Sequence, residues 1–415
     1  MAQLSDDCFA FGAAPMPLAE AATEICARIA AVSGTETIPL AACDGRVLAE
    51  ELVAPISLPP FDNSAVDGFA VRHADLEAAA ATALPVVARV AAGQAAPHLP
   101  PRSAIRIFTG APMPQGADTV FMQEDAHLDG PTVVLPHGLA RFANFREAGE
   151  DVAIGQVALP ARRVLRPQDL ALAAALGSTA LVVRRRLQVG VFSTGDELAR
   201  PGERLSGARI FDSNRPMLLA MLARAGAAAR DLGILPDRPD LLAPALADAA
   251  RAHDLLLTSG GVSTGEEDHV KAALAAVGRL DHWRVAIKPG RPVAMGTIAG
   301  AAFVGLPGNP AAVFVTFAHI VRPLLAALAG AAWVAPRAMP VVSGFAYRKK
   351  RGRREYVRVS LRAGADGWVA VKWPQDGAGV ITSLTGTDGL LELEEERTML
   401  EVGEPAGFLA YEVLG

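Results

Sequence analysis

The sequence predicts a multidomain α/β plus β protein, on three changes of pattern along the chain. Between residues 187 and about 330, short apolar runs alternate with helical stretches, as in a covered, mostly parallel sheet. From Phe61 to about Leu139, and again beyond Pro336 and Pro340, brief extended runs are separated by Gly, Pro and Asp. Alanine-rich helical segments flank the first of these β regions. The simplest path inserts one β domain into a discontinuous helical linker domain. Residues 1–50 and 140–182 then form the linker and 51–139 the inserted mostly-β domain, followed by a parallel α/β domain over 183–332 and a C-terminal β domain over 333–415.

Each element has a local reason. Pro17 suits the first turn of a helix reaching Ala31, with Leu18, Ile25 and Ile29 as its apolar stripe. Asp44 precedes a second expected helix, Gly45 to Leu52, and Pro55, Pro59 and Pro60 then mark a domain crossing. Strands are expected at Pro85 to Val90, Ala104 to Phe108, Thr119 to Met122 and Thr132 to Leu135. Helix resumes near Pro167, and Leu170 to Leu176 pack before Gly177. In the α/β region, strands at Leu187 to Phe192, near Leu235, at Asp254 to Leu257 and at Ala301 to Val304 alternate with helices. Those helices cover Ser213 to Ala229, Leu241 to Arg251, Asp268 to Val277 and Pro310 to Leu328. Short β runs at Val341 to Gly344, Tyr356 to Leu361, Trp368 to Lys372 and Leu390 to Leu393 fill the last domain.

Composition excludes several classes. The 39 basic and 44 acidic residues leave a charge of -5, so bulk nucleic-acid binding is not expected. The run Tyr347 to Arg354 is strongly basic but lacks a reading helix, and is expected to be a solvated hairpin or the rim of an anionic-cofactor site. No run reaches the ~20 apolar residues of a membrane span. Cys8, Cys26 and Cys43 lack metal-ligand spacing, and no secretory leader pattern is present, which points to a reducing, cytoplasmic setting.

The chemistry concentrates where strands end. Thr258 to Asp268 follows the apolar Leu255-Leu256-Leu257 and combines glycines, hydroxyls and three carboxylates ahead of a helix. Gly260, Gly261 and Gly265 leave backbone N–H groups open to a phosphate, which Ser259 and Ser263 can also bond. Ser193, Thr194 and Gly195 repeat the arrangement before Asp196 and Glu197. Gly305 to Pro310 forms a third tip, in which Pro307 and Pro310 stiffen a loop carrying Gly308 and Asn309. Lys288 and Arg291 supply cations for an oxyanion, while Asp212, Ser213 and Asn214 cap a helix, contact a ligand, or do both. Asp196 or Glu197 can serve an oxygen-preferring cation, and Glu266, Glu267 and Asp268 would repel a phosphate unless a divalent ion such as Mg2+ relieved the conflict. Neither GxxxxGK[ST] nor GxGxxG occurs at these tips, so phosphate-loop and nicotinamide readings gain no support. In the inserted β region Asp62, Asp67 and Thr109 either form ordinary turns or face the α/β crevice from another domain or subunit.

Seven segments occur in one order: Phe61 to Ala70, Thr109 to Pro114, Ser193 to Leu198, Asp212 to Pro216, Ser259 to Asp268, Lys288 to Pro292 and Gly305 to Pro310. Together they resemble the molybdopterin molybdenumtransferase family, including the C-terminal domain of gephyrin-type proteins, over nearly the whole chain. The resemblance implies four domains, with a molybdopterin-binding-like α/β domain, and an elongated homodimer whose cleft lies between that domain and the partner's β region. It implies insertion of molybdate into adenylylated molybdopterin with release of AMP, assisted by Mg2+. Carried onto this chain, Asp62, Asp67, Thr109, Asp151, Glu197, Asp237, Asp268, Pro307 and Pro310 match functional positions, and Lys288 and Arg291 fall in the matching basic loop. Val66 and Phe69 depart from the usual methionine and tyrosine types. Expected partners are a molybdopterin adenylyltransferase and molybdoenzymes that accept the product. The competing functions are adenylylation of molybdopterin, on a related α/β scaffold, and a nonenzymatic cofactor carrier or scaffold.

Overall fold

A computed structural model describes residues 15–32, 34–236, 238–260, 269–290, 292–365 and 367–415. The α/β domain is built on a six-stranded sheet in the order Ala228–Leu235, Gln188–Thr194, Leu255–Ser259, Ala301–Leu306, Pro292–Ile298, Gly278–Arg284. The first four strands are mutually parallel, and the last two are added through antiparallel pairings, so that only Pro292–Ile298 runs against the rest. Side-chain alternation explains why both faces are buried. Val189, Val191, Leu255, Leu257, Val304 and Leu306 point to one core, and Phe192, Leu256 and Phe303 to the other. Each such fully buried side chain contributes roughly 1.5–3 kcal/mol.

The first core is closed by a continuous helical stretch, Pro310 to Leu328, with a wider π turn at Phe317–Val321. By length and composition alone this helix is apolar enough to cross a membrane, yet 83% of it is buried inside the protein. Its apolar character is explained by neighbours on several sides: the sheet, and the N-terminal helix Leu18–Arg28. The helix expected to run to Ala229 stops at Arg224. Gly226 adopts φ +80°, which L side chains avoid, and the next strand starts at Ala228.

The linker carries two of the three expected helices, Leu18–Arg28 and Pro167–Ala175, and an antiparallel pair, Thr35–Pro39 with Ala180–Arg184. The expected Gly45–Leu52 helix does not form. Val47 and Leu48 instead bridge Val164 and Val183, and Leu52–Val53 pairs with Val157–Leu159. Leu48 gains a buried place against Cys43 and Val183 in the linker core, which outweighs weak local helix preference. The inserted module runs between those paired segments. Its sheet has the order Thr119–Met122, Gly68–Val71, Ala104–Ile107, Thr82–Val90, Thr132–Leu135, His127–Asp129.

In the C-terminal domain, Arg354–Gly364 pairs with both Gly367–Lys372 and Gly389–Leu393. Through Met339–Ser343 and Pro405–Ala410 the sheet closes on itself as a small barrel. Two residues of the α/β domain join this sheet: Ile287 and Lys288 pair in parallel with Arg354 and Glu355. That splice fixes how the two domains face each other.

Candidate active site

Three strand tips of the α/β domain meet at the carboxyl ends of the parallel strands, where ligands of such sheets bind. The Gly260 N–H donates to the Leu306 carbonyl at 2.9 Å, so this amide ties two tips together instead of standing open to a phosphate as expected. Gly260 has φ +84°, and a β-carbon built on it would lie 4.0 Å from the Thr194 carbonyl oxygen. One built on Gly308 would lie 3.9 Å from the Gly260 α-carbon. Backbone thus approaches backbone across all three loops.

The scaffold behind the tips is polar and buried. Ser193 Oγ donates to Asp212 Oδ2 at 2.7 Å, and Arg215 donates to Asp212 from its backbone N–H at 3.2 Å and from Nε at 2.9 Å. Burial opposes the Arg215 charge, but bonds to Asp212 and Asp231 outweigh it and raise its pKa above the ordinary value. Asn214 Nδ2 donates to the Gly308 carbonyl at 2.7 Å, tying the helix start to the third loop. Ser213 precedes that helix, exposed and without a side-chain capping bond. Thr194 Oγ1, Asn214 Oδ1 and Thr258 Oγ1 are buried without a hydrogen-bond partner among the described residues. Ser259 is buried at the strand end, and Asn309 is exposed at the start of the helix that opens with Pro310.

These tips form one wall of a cleft of about 560 Å³, and the C-terminal barrel forms the other. Pro307, Gly308, Asn309 and Lys288 line the first side; Tyr347, Arg353, Glu355, Arg358, Lys372 and Trp373 line the second. Lys288 Nζ lies 3.0 Å from Glu355 Oε2 and 3.2 Å from the Tyr347 hydroxyl, and Arg353 Nε donates to Glu355 Oε1 at 2.7 Å. Burial alone pulls the Lys288 pKa down, but its bonds to Glu355 and Tyr347 hold it above the ordinary value. Burial likewise pushes Glu355 up, and Lys288 and Arg353 more than reverse it. Arg358 is buried on Ser383 Oγ at 3.0 Å and on the Gln375 and Gly377 carbonyls, with no carboxylate partner among the described residues. Lys372 pairs with Asp376 at 2.7 Å. Among the described residues four cations therefore share two carboxylates, which leaves the cleft receptive to anions.

Among the expected acids, Glu197 is exposed and curls over Gly195 beside the first tip. It is a hard oxygen donor of the kind Mg2+ takes, but no group of three or more potential ligands occurs among the described residues. Asp237, Gly261, Ser263, Gly265, Asp268 and Arg291 lie outside the described residues. The remaining acids, Asp62, Asp67 and Asp151, lie on the inserted module and are not among the residues that line this cleft. Asp67 Oδ1 accepts from Thr109 N–H at 2.8 Å and Oγ1 at 2.7 Å, which lowers its pKa. Asp62 Oδ1 accepts from Ala148 N–H at 2.9 Å, and Asp151 N–H donates to Leu58.

Three family profiles tile the chain: the MoeA N-terminal region (domain I and II) over residues 16–177, a probable molybdopterin binding domain over 190–327, and the MoeA C-terminal region (domain IV) over 340–411. This chain belongs to the MoeA family. A molybdopterin molybdenumtransferase of Haemophilus influenzae is 38% identical over 374 residues, covering 89% of this chain and 92% of the relative. Molybdopterin molybdenumtransferase 2 of Mycobacterium tuberculosis is 36% identical, over 88% of this chain and 93% of the relative. The crystal structure of a molybdopterin biosynthesis moeA protein from Pyrococcus horikoshii OT3 superposes with a TM-score of 0.80 at 30% identity, covering 96% of this chain and all of that one. The family expected from the seven motifs is thus the family found, and the multidomain layout agrees.

Sequence reasoning missed most of the MoeA-family chain's second cleft wall. Glu355, Arg358, Lys372 and Trp373 sit in ordinary-looking β runs, and pairing of Lys288 with Glu355 leaves no local signal. The basic run was the available clue, and the structure corrects its expected solvation. Lys349 is buried, donating to the carbonyls of Glu394, Glu395 and Arg397, while Arg354 pairs with Glu392 and Glu395. The rim reading survives through Tyr347 and Arg353.

Proposed function

We propose that this chain is a molybdopterin molybdenumtransferase, inserting molybdate into adenylylated molybdopterin with release of AMP to form molybdenum cofactor. The observation that carries the reading is the cation-rich cleft joined to three converging loop tips, in a chain of this family. Backbone N–H groups at the tips and Lys288, with Arg291, would hold the phosphates. Arg358 and its neighbours supply an oxyanion-compatible wall for molybdate. Water adds to phosphorus as the phosphoanhydride P–O bond breaks and AMP leaves, while the two dithiolene sulfurs bind molybdenum and displace a molybdate oxygen, which departs as water with the thiol protons. Enclosure between domains keeps bulk water from competing with that exchange.

Glu197 and Asp268 are the proposed ligands of Mg2+, which supplies charge neutralisation at the phosphoanhydride. Asp62, Asp67, Thr109 and Asp151 act, in this reading, across a homodimer interface onto the partner's cleft, with Asp237 a further acid of the site. A cytoplasmic setting fits the substrates. The decisive assay supplies purified protein with adenylylated molybdopterin, molybdate and Mg2+, and measures AMP and cofactor together. Molybdate-dependent release of both supports the assignment. ATP consumption with accumulation of adenylylated product would instead assign the earlier adenylylation step, and binding without AMP release would assign a carrier.

A further inference from the structure

At the opposite, amino end of the parallel strands lies a second cavity, of about 690 Å³, between the linker and the α/β domain. Among the described residues, nine arginines and no carboxylate line it, in a chain whose net charge is -5. Some of these arginines are neutralised from behind: Arg46 by Glu36, Arg163 by Asp169 and Arg185 by Asp254. Arg162, Arg184, Arg186 and Arg322 have no ion pair with a carboxylate among the described residues. Arg162, Arg186 and Arg322 donate to the carbonyls of Gly330, Gly226 and Val413, which satisfies geometry without cancelling charge. Arg163 Nε is buried without a hydrogen-bond partner among the described residues. Half-buried Arg322 lies 5.7 Å from the Trp333 ring centroid, so a planar surface borders the cations. Gathering like charges in a concavity is unfavourable unless an anion fills it.

We propose that this groove binds a nucleoside polyphosphate, its phosphate chain held by the guanidinium forks of Arg162, Arg184 and Arg186 and its base stacked beside Trp333. A single phosphate would leave several of the cations uncompensated, and an aliphatic polyanion would leave the indole face unused. The groove is remote from the cleft, so occupancy is separable from turnover.

The test titrates the full-length protein by calorimetry with ATP and with inorganic tripolyphosphate, in low salt and without added metal. A K288A background weakens the cleft's own binding. Saturable binding of both probes is expected in K288A. It should weaken by roughly tenfold or more in an R184A/R186A variant, whose AMP release and melting temperature stay at wild-type values. W333A should weaken ATP and spare tripolyphosphate; equal effects on both would overturn the nucleoside part. The site itself is overturned if wild type shows no saturable binding, if R184A/R186A binds normally, or if binding disappears in K288A. Self-association abolished by R186E, without polyphosphate binding, would assign the groove to a second copy of the chain and likewise overturn the proposal.

Discussion

Asp212 accepts hydrogen bonds from Ser193 and twice from Arg215 within a nearly solvent-free space, so its charge is part of the scaffold that aims the first loop tip. Asp212→Ala should lower unfolding free energy by about 3–5 kcal/mol in urea titration, because Arg215 is left buried with only Asp231 as counterion. Asp212→Asn, which keeps acceptors, should recover part of that loss. Lys288 sits at the other extreme, partly exposed in the cleft with Glu355 behind it. Lys288→Ala should reduce AMP-coupled turnover by on the order of 10–100-fold with little change in melting temperature, since Arg353 still compensates Glu355. Ser193, Asp212, Asn214 and Lys288 were all visible in the sequence as polar residues at strand ends. Their partners were not, because Asn214 reaches Gly308 and Lys288 reaches Glu355 across long sequence gaps.

Helices and strands with strong periodicity were legible. The strands Thr119–Met122 and Thr132–Leu135 fall where alternation places them, as does the helical stretch from Pro310 to Leu328. Elements whose pairing partner is distant were not, such as the Gly278–Arg284 and Pro292–Ile298 hairpin or the two-residue splice at Ile287–Lys288. The long apolar helix also hides a titratable group. In its π turn, His319 stacks on Tyr356 of the barrel, with centroids 4.3 Å apart, and burial, with Arg322 and Arg354 nearby, lowers its pKa to about 3. The unfolded chain takes up this proton near the ordinary value of 6.5, whereas the folded protein resists until about 3. Stability from this group is therefore complete above pH 6.5 and declines on acidification toward 3, by at most about 1.4 kcal/mol per pH unit. His319→Phe keeps the stacking and removes the proton site. Urea midpoints at pH 7.5 and pH 5 should fall further in wild type than in this variant; equal declines would contradict the assignment.

On the scale of the molecule, the cleft exists because a strand fragment of one domain is incorporated into the barrel of the next, while the acids of the inserted module remain outside it. The proposed homodimer brings those acids to the partner's cleft, and mixed dimers test this directly. Asp67→Ala and Glu197→Gln should each abolish most cofactor formation alone. Co-expressed, they should restore about a quarter of wild-type sites, since one cleft of each mixed dimer is free of both substitutions. No recovery, in samples where mass spectrometry detects mixed dimers, would place both residues in one chain's site. The order of motifs disclosed the family, but which surfaces meet depends on domain orientation, which no stretch of sequence encodes locally. The paired segments Leu52–Val53 and Val157–Leu159 carry a practical corollary. Where chain enters and leaves the module as neighbouring strands, a short turn can replace everything between, offering a trimmed protein in which substrate capture is studied apart from whatever the excised part contributes.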